Sequence, residues 1–176
     1  MLTNNNWYVI TGAPSSGKTT TVKMLEEKGY EVVYEMARIY IDEEMAKGKT
    51  IDQIRANELL FQEKILKFKI EYEKKLSGKK IIFLDRGIPD SEAYYRMLGA
   101  GEDSFLKKTM DNCSYKKVFL FEMIGYEKDY ARIESKEQQE QLQNLLKNSY
   151  EKLNIPVVVV PKMSIQERLD FVLNNL

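Results

Sequence analysis

The segment Gly12-Ala13-Pro14-Ser15-Ser16-Gly17-Lys18-Thr19 constrains this chain more than any other. It follows the pattern G-x-x-x-x-G-K-[ST], in which glycines let the backbone turn inward and present N–H groups to an anion. Its setting adds to its letters. Trp7 to Thr11 reads as a short buried strand, and Thr20 to Lys28 as a helix stopped by Gly29. A glycine-rich turn followed by a Thr-rich helix start would share some of this composition. It would not explain Lys18 standing beside Thr19 at the helix N-terminus. The segment therefore reads as a P-loop, also called a Walker A motif, with Gly12, Ala13, Pro14, Ser15, Ser16, Gly17, Lys18, Thr19 and Thr20 around a nucleotide's phosphates.

The rest of the chain alternates between strand-like and helix-like patterns. Strands are expected at 7–11, 31–34, 80–84, 117–121 and 157–160, all short and largely apolar, as a parallel sheet covered on both faces requires. Helices are expected at 17–28 and 36–47, and as one long element from about 51 to 76. Others follow at 89–98, 103–111, from 135 to about 153, and from 164 to about 173. Thr50 with Gln53, Ser135 with Gln138 and Ser164 with Glu167 form capping boxes. Such alternation implies a doubly wound α/β fold with right-handed crossovers. No repeat or linker divides the 176 residues, so a single domain over 1–176 is expected. The polar stretch 123–136, between a strand and a helix, is the expected lid.

Bulk properties narrow the chemistry. The chain has 27 basic and 27 acidic residues, which weighs against extensive nucleic-acid contact. No apolar run approaches a membrane span, and the first residues lack the pattern of a signal peptide, so a cytoplasmic setting is expected. Histidine is absent, which excludes Ser-His-Asp and Cys-His catalysis and histidine metal sites. Cys113 is the sole cysteine, so neither an internal disulfide nor a cysteine metal cluster can form. Carboxylates, Lys, Tyr and bound Mg²⁺ remain as chemical agents.

The candidate residues follow from those limits. In a P-loop Lys18 reaches the β- and γ-phosphates and the Thr19 hydroxyl ligates Mg²⁺. Ile81 to Leu84 forms an apolar strand that delivers Asp85 to the end where an open α/β sheet collects ligands. Asp85 is therefore a second candidate ligand for Mg²⁺, in the manner of a Walker B carboxylate. Arg86 follows it, where water-activating ATPases often carry Glu, and can clamp an anion or the transferring phosphoryl group. Its alternative is a surface ion pair. Glu35 closes the second strand and can orient an acceptor hydroxyl or take its proton. Arg38 lies within one helical turn of it. An exposed helix-start ion pair is the alternative for these two. Asp90, Tyr94 and Tyr95 either line an acceptor pocket or belong to the core. Arg132, with Asp129, is placed on the lid to close over the phosphates, against the alternative of an ordinary loop cation. Arg168 reads as structural, and Arg55 and Arg96 as parts of solvated faces.

Taken together, Gly12–Thr19, Glu35-x-x-Arg38, Asp85-Arg86-Gly87 with Asp90 and Tyr94, Arg132, and the late Val157–Pro161 segment span nearly the whole chain. This combination resembles the small AAA-domain-type P-loop ATPases that include the ribosylnicotinamide kinase domain of bifunctional NAD-synthesis proteins. Those are similar in turn to deoxynucleoside and thymidylate kinases. The resemblance implies a five-stranded parallel sheet in the order 2-3-1-4-5, helices on both faces and a lid after the fourth strand. It also implies Mg-ATP as phosphoryl donor, with Glu35 as acceptor-binding base, Asp85-Arg86 as an acidic-Arg pair and Arg132 as a lid arginine. The implied activity is transfer of the ATP γ-phosphoryl group to a nucleoside-like or nucleotide-like acceptor by a monomer or homodimer. A regulatory or switch ATPase acting through a protein partner stays open, as does a polynucleotide end kinase. No constellation for a pyridine ring, a particular base or an acceptor monophosphate stands out.

Overall fold

The computed structural model describes residues 5–101, 103–125 and 135–176. Five parallel strands form one sheet: β1 (Trp7–Thr11), β2 (Glu31–Val33), β3 (Ile82–Asp85), β4 (Lys117–Phe121) and β5 (Val157–Val160), in the order β2-β3-β1-β4-β5. Side chains alternate across the sheet with the period of two that strand geometry imposes. Trp7, Val9, Ile82, Leu84 and Val118 face one layer, and Tyr8, Ile10, Phe83, Phe119 and Phe121 the other.

The first layer carries α2 (Met36–Ala46), α4 (Glu58–Glu73) and α7 (Lys136–Glu151), with Ile41, Phe61, Ile65 and Tyr150 packed on the sheet. The second carries α1 (Lys18–Glu27) and α8 (Ile165–Asn174), through Val22, Leu25, Leu169 and Val172. Helix α5 (Ile88–Met97) lies between α4 and α7, and α6 (Ser104–Asp111) packs on its far side. Both faces of the sheet are therefore dry, which explains strands that read as near-continuous apolar runs. Truncating a fully buried ring such as Phe119 to Ala should cost about 3–5 kcal/mol.

One expectation is corrected. The long helix expected from about 51 to 76 is two helices, α3 (Ile51–Ile54) and α4, separated at 55–57. Asn57 is the reason: its side chain accepts a hydrogen bond from Leu60 N and starts a new helix. A short Asn side chain competes for local backbone donors better than it extends a helix. The break turns Arg55 inward, where its guanidinium lies 5.2 Å from the centre of the Phe61 ring and pairs with Glu58. Arg55 is therefore not part of a solvated face, since only 8% of its side chain is exposed.

Candidate active site

Parallel pairing brings the carboxyl ends of β1, β3 and β2 side by side, with Ile10 in register with Asp85 and Val33 with Leu84. A cleft of about 470 Å³ opens beyond these ends, with Pro14 to Thr20 along one wall. The loop geometry needs its glycines. Gly12 has φ 144°, and a Cβ there would lie 2.5 Å from the Phe121 carbonyl oxygen. Gly17 takes φ 79° and serves as N-cap of α1 with no side-chain cap, so the first N–H groups of that helix face the cleft. Uncapped N–H groups together with the helix dipole make a site for phosphate. Lys18 is buried and donates to the Ala13 carbonyl at 2.9 Å and to Ser16 Oγ at 3.0 Å, which holds its ammonium over the loop.

Not every loop residue faces the cleft. Gly12 packs against the β4 end, and the Ala13 N–H is donated to Gln143 Oε1 at 2.7 Å. These two lie behind the loop, whereas Pro14, Ser15, Ser16, Gly17, Lys18, Thr19 and Thr20 line it.

Next to Lys18, Thr19 Oγ1 donates to Asp85 Oδ2 at 3.2 Å. The other carboxylate oxygen, Asp85 Oδ1, is buried with no hydrogen-bond partner among the described residues. Burial pushes the Asp85 carboxyl up to about 6, and the negative charge of Glu35 adds to this against the pull of Lys18 and Arg86. A buried anionic oxygen without a partner is costly. A hard divalent cation would supply one, and a carboxylate beside a hydroxyl is a donor set that suits Mg²⁺ with its remaining positions left to water and phosphate.

Arg86 occupies the next position in the left-handed region at φ 71°, where only a tight turn holds a residue other than glycine. Its side chain is fixed on two sides, with Nε donating to Glu35 Oε1 at 2.8 Å and Nη1 donating to Asp90 Oδ1 at 2.9 Å. Its guanidinium lies 5.5 Å from the centre of the Tyr94 ring. Burial by itself would raise the Glu35 carboxyl, but Arg86, Lys18 and Arg38 outweigh it and hold the group at about 2. Glu35 and Arg86 are thus a fixed charged pair in the cleft wall, and the exposed ion-pair alternative is set aside.

Of the two readings of Asp90, the structure places it on the core side, as a support for Arg86. It is fully buried, and its Oδ1 accepts from Thr11 Oγ1 at 2.6 Å as well as from Arg86. Its Oδ2 accepts from Gly87 N at 3.1 Å and from the Tyr150 hydroxyl. Tyr94 does line the cleft, while Tyr95 is buried in the core with Leu66 and Ile88. Arg38 lines the cleft too. Asp129 and Arg132 lie outside the described residues, as does most of the expected lid.

The far half of the cleft is built by residues that have no site role in the sequence reading. Ile41, Arg55, Phe61, Gln62, Ile65 and Lys69 line it beyond Glu35 and Arg86. Lys69 is buried and donates to the Gly87 carbonyl at 2.9 Å, which ties α4 to the turn after β3. Burial pulls its ammonium below the ordinary lysine value, against the opposing charge of Asp90. In the sequence these are helix-face positions, Phe61 and Ile65 in the apolar stripe and Gln62 and Lys69 beside it. Only a buried Lys on a helix otherwise read as amphipathic could have signalled a partner, and burial is not visible in the sequence.

With this geometry, residues 7–168 match the family described as AAA domain. The chain belongs to that family. No curated protein matches the sequence. Among solved structures, one of a NadR protein in complex with NR superposes with a TM-score of 0.73 at 17% identity. It covers 97% of this chain, and the chain spans half the length of that protein. Deoxyadenosine kinase from M. mycoides, with bound dCTP, gives 0.67 at 15% identity over 96% of this chain and 97% of its own. Thymidylate kinase from Ehrlichia chaffeensis gives 0.63 at 18% identity over 96% of both chains. At such identities the likeness is one of fold: the five-stranded P-loop architecture of nucleoside and nucleotide kinases. Among the described residues no helix is long and apolar enough to cross a membrane.

Proposed function

We propose that this AAA-domain protein is a small-molecule kinase that transfers the γ-phosphoryl group of ATP, with Mg²⁺, to a nucleoside-like or nucleotide-like acceptor. One observation carries the reading: the cleft does not end at the P-loop. It continues past the Glu35–Arg86 pair into a chamber lined by Phe61, Gln62, Ile65, Tyr94 and Arg38. A hydrolase needs only water at that position, whereas a transferase needs space for a second substrate. The whole cleft, P-loop wall included, measures about 470 Å³, within the ~300–1,000 Å³ range of small-molecule pockets. The kinase fold shared with the solved neighbours supports the same reading.

In this mechanism the N–H groups of the loop and the start of α1 hold the donor phosphates, and Lys18 moves from the Ala13 carbonyl onto them. Mg²⁺, held by Thr19 and Asp85, would neutralise phosphate charge when bound. Glu35 orients the acceptor hydroxyl for in-line attack. A carboxylate held at about 2 is a weak base, which suits a loose transition state in which the hydroxyl proton leaves late. Arg86 holds Glu35 at its place and presents its guanidinium near the transferring group. Arg132 would add charge from a lid at 123–136, and we assign the whole chain to one such unit in the cytoplasm.

The test is ADP release from Mg-ATP with and without nucleosides, nucleotides and oligonucleotides. Strong stimulation by one small acceptor, with the phosphorylated product detected, is the expected outcome. Release that responds to none of them but to a protein partner would replace the kinase with a switch ATPase. An oligonucleotide as best acceptor would make it a polynucleotide end kinase.

A further inference from the structure

The P-loop is held from its outer side by two helices that lie far from it in the chain. Arg168 of α8 is fully buried. Its Nη1 donates to the Ser16 carbonyl and its Nη2 to the Glu122 carbonyl at 3.2 Å. Its guanidinium lies 5.4 Å from the centre of the Phe121 ring. Gln143 of α7 clamps the same region, taking the Ala13 N–H and giving its Nε2 to the Phe121 carbonyl at 3.0 Å. Between them, Ile124 N donates to the Ser15 carbonyl at 3.1 Å.

These bonds have a directional consequence. In a trans peptide the carbonyl and the following N–H point to opposite sides of the chain. With the Ser15 carbonyl held by Ile124 and the Ser16 carbonyl held by Arg168, the N–H groups of Ser16 and Gly17 are turned the other way, into the cleft. Gly17 at φ 79° permits this orientation, but a glycine's freedom does not by itself choose it.

The chemistry of Arg168 argues that more than packing is involved. It donates to carbonyl oxygens, of Ser16 and Glu122, and its Nε is buried without a hydrogen-bond partner among the described residues. Burial pulls its guanidinium below the ordinary value, with the charge of Glu122 opposing. A buried cation held by carbonyls is an expensive way to fill space, since an apolar side chain of similar volume often serves stability as well. What an apolar residue could not do is hold a carbonyl.

We infer that Arg168, with Gln143, is a positioning residue for phosphate binding: it fixes the Ser16–Gly17 peptide so that the loop receives the anion without rearranging. Preorganised N–H groups bind more tightly because no ordering remains to be done at the moment of binding. The inference rests on the proposed P-loop nucleotide site.

The test uses the full chain with ATP as probe and Arg168→Met, Arg168→Lys, Gln143→Ala and Lys18→Met as variants. Arg168→Met should weaken ATP binding by about tenfold or more, as expected for losing a charge-assisted hydrogen bond. Arg168→Lys, which can still reach one carbonyl, should recover part of that loss, and Gln143→Ala should give a smaller one. Acceptor KM should stay at the wild-type value in all three. In spectra of protein labelled with ¹⁵N-glycine, the Gly17 amide should move on adding saturating ATP, and should move less in Arg168→Lys. The remote Gly99 should behave alike in both. Wild-type ATP affinity and a wild-type Gly17 response in a folded Arg168 variant of lower melting temperature would overturn the inference and leave Arg168 a packing residue. If the wild type itself fails to bind ATP and Lys18→Met changes nothing, the nucleotide site falls, and the inference with it.

Discussion

Five helices, α3, α4, α6, α7 and α8, begin with a Thr, Asn, Asp or Ser whose side chain accepts a hydrogen bond from the helix's own first turn. Three others, α1, α2 and α5, begin with Gly17, Glu35 and Gly87 and have no such bond from the cap side chain. At the first group the free donors of a helix start are satisfied within three residues. At the second they are left for distant groups or for a ligand. Glu35 turns its carboxylate away from its own helix to Arg86. Asp90 reaches back to Gly87 N, but it also binds Thr11, Arg86 and Tyr150 from elsewhere in the fold. The N-terminus of α1 has no side-chain cap. Local capping serves stability, and at α2 and α5 the groups around the helix start are tied to distant residues instead.

Four experiments press on this contrast. Lys18→Met should have the largest effect, a fall in kcat/KM of roughly 10³, because it removes the only lysine that the α1 start presents to the cleft. Its melting temperature should move far less than its turnover, although the change removes the hydrogen bonds to the Ala13 carbonyl and Ser16 Oγ and the positive charge facing Glu35 and Asp85. A turnover close to wild type would remove the phosphate site from α1. Glu35→Gln should lower kcat by about 10² while ATP affinity, measured by calorimetry, barely changes. An equal loss of both would assign Glu35 to the donor side or to the fold.

The third concerns the support beneath α5. Ile88 N donates to the Tyr115 hydroxyl at 2.9 Å, which in turn donates to Glu73 Oε1 at 2.8 Å. Burial pushes Glu73 up to about 7, against the Tyr115 hydrogen bond and the charge of Lys69. The folded protein thus holds this proton more tightly than the unfolded chain. The stability that this contributes is fully present below the ordinary glutamate value and is lost as pH rises through about 7. The total is ~3 kcal/mol. Melting curves from pH 4.5 to 8 should show that decline in the wild type and a flatter profile in Glu73→Gln. An unchanged slope would mean that Glu73 is ionised throughout. The smallest effect belongs to a capped helix remote from the cleft. Asp103 Oδ1 accepts from Leu106 N at 2.7 Å, so Asp103→Ala should cost about 1 kcal/mol of stability and leave kcat unchanged. A loss of activity there would blur the division between the two groups of helices.

The same division accounts for what could be read in advance. The boxes at Thr50, Ser135 and Ser164 were legible because partner and cap lie three residues apart, and the structure forms all of them. The break at Asn57 was not, because the apolar stripe runs across it and only the hydrogen bond to Leu60 N interrupts the helix. Asp90, placed after Asp85-Arg86-Gly87, fits either an acceptor pocket or the core by sequence. Its burial depends on Thr11 and on Tyr150, 60 residues downstream. Arg55 was read as solvated because a lone cation on a helix usually is, and it was turned inward by the break that follows it.

The sequence by itself determined the phosphate loop, the alternation of strands and helices, and the arrival of Asp85 and Glu35 at strand ends. Those features are contiguous, so spacing along the chain equals spacing in space. The far half of the cleft, the Glu35–Arg86 ion pair, and the hold of Arg168 on the Ser16 carbonyl were decided only by the tertiary structure. Each joins residues separated by 51 to 152 positions or different helices. Parallel pairing of the strands and the packing of α4, α7 and α8 on them bring those residues together, and no local pattern encodes that meeting.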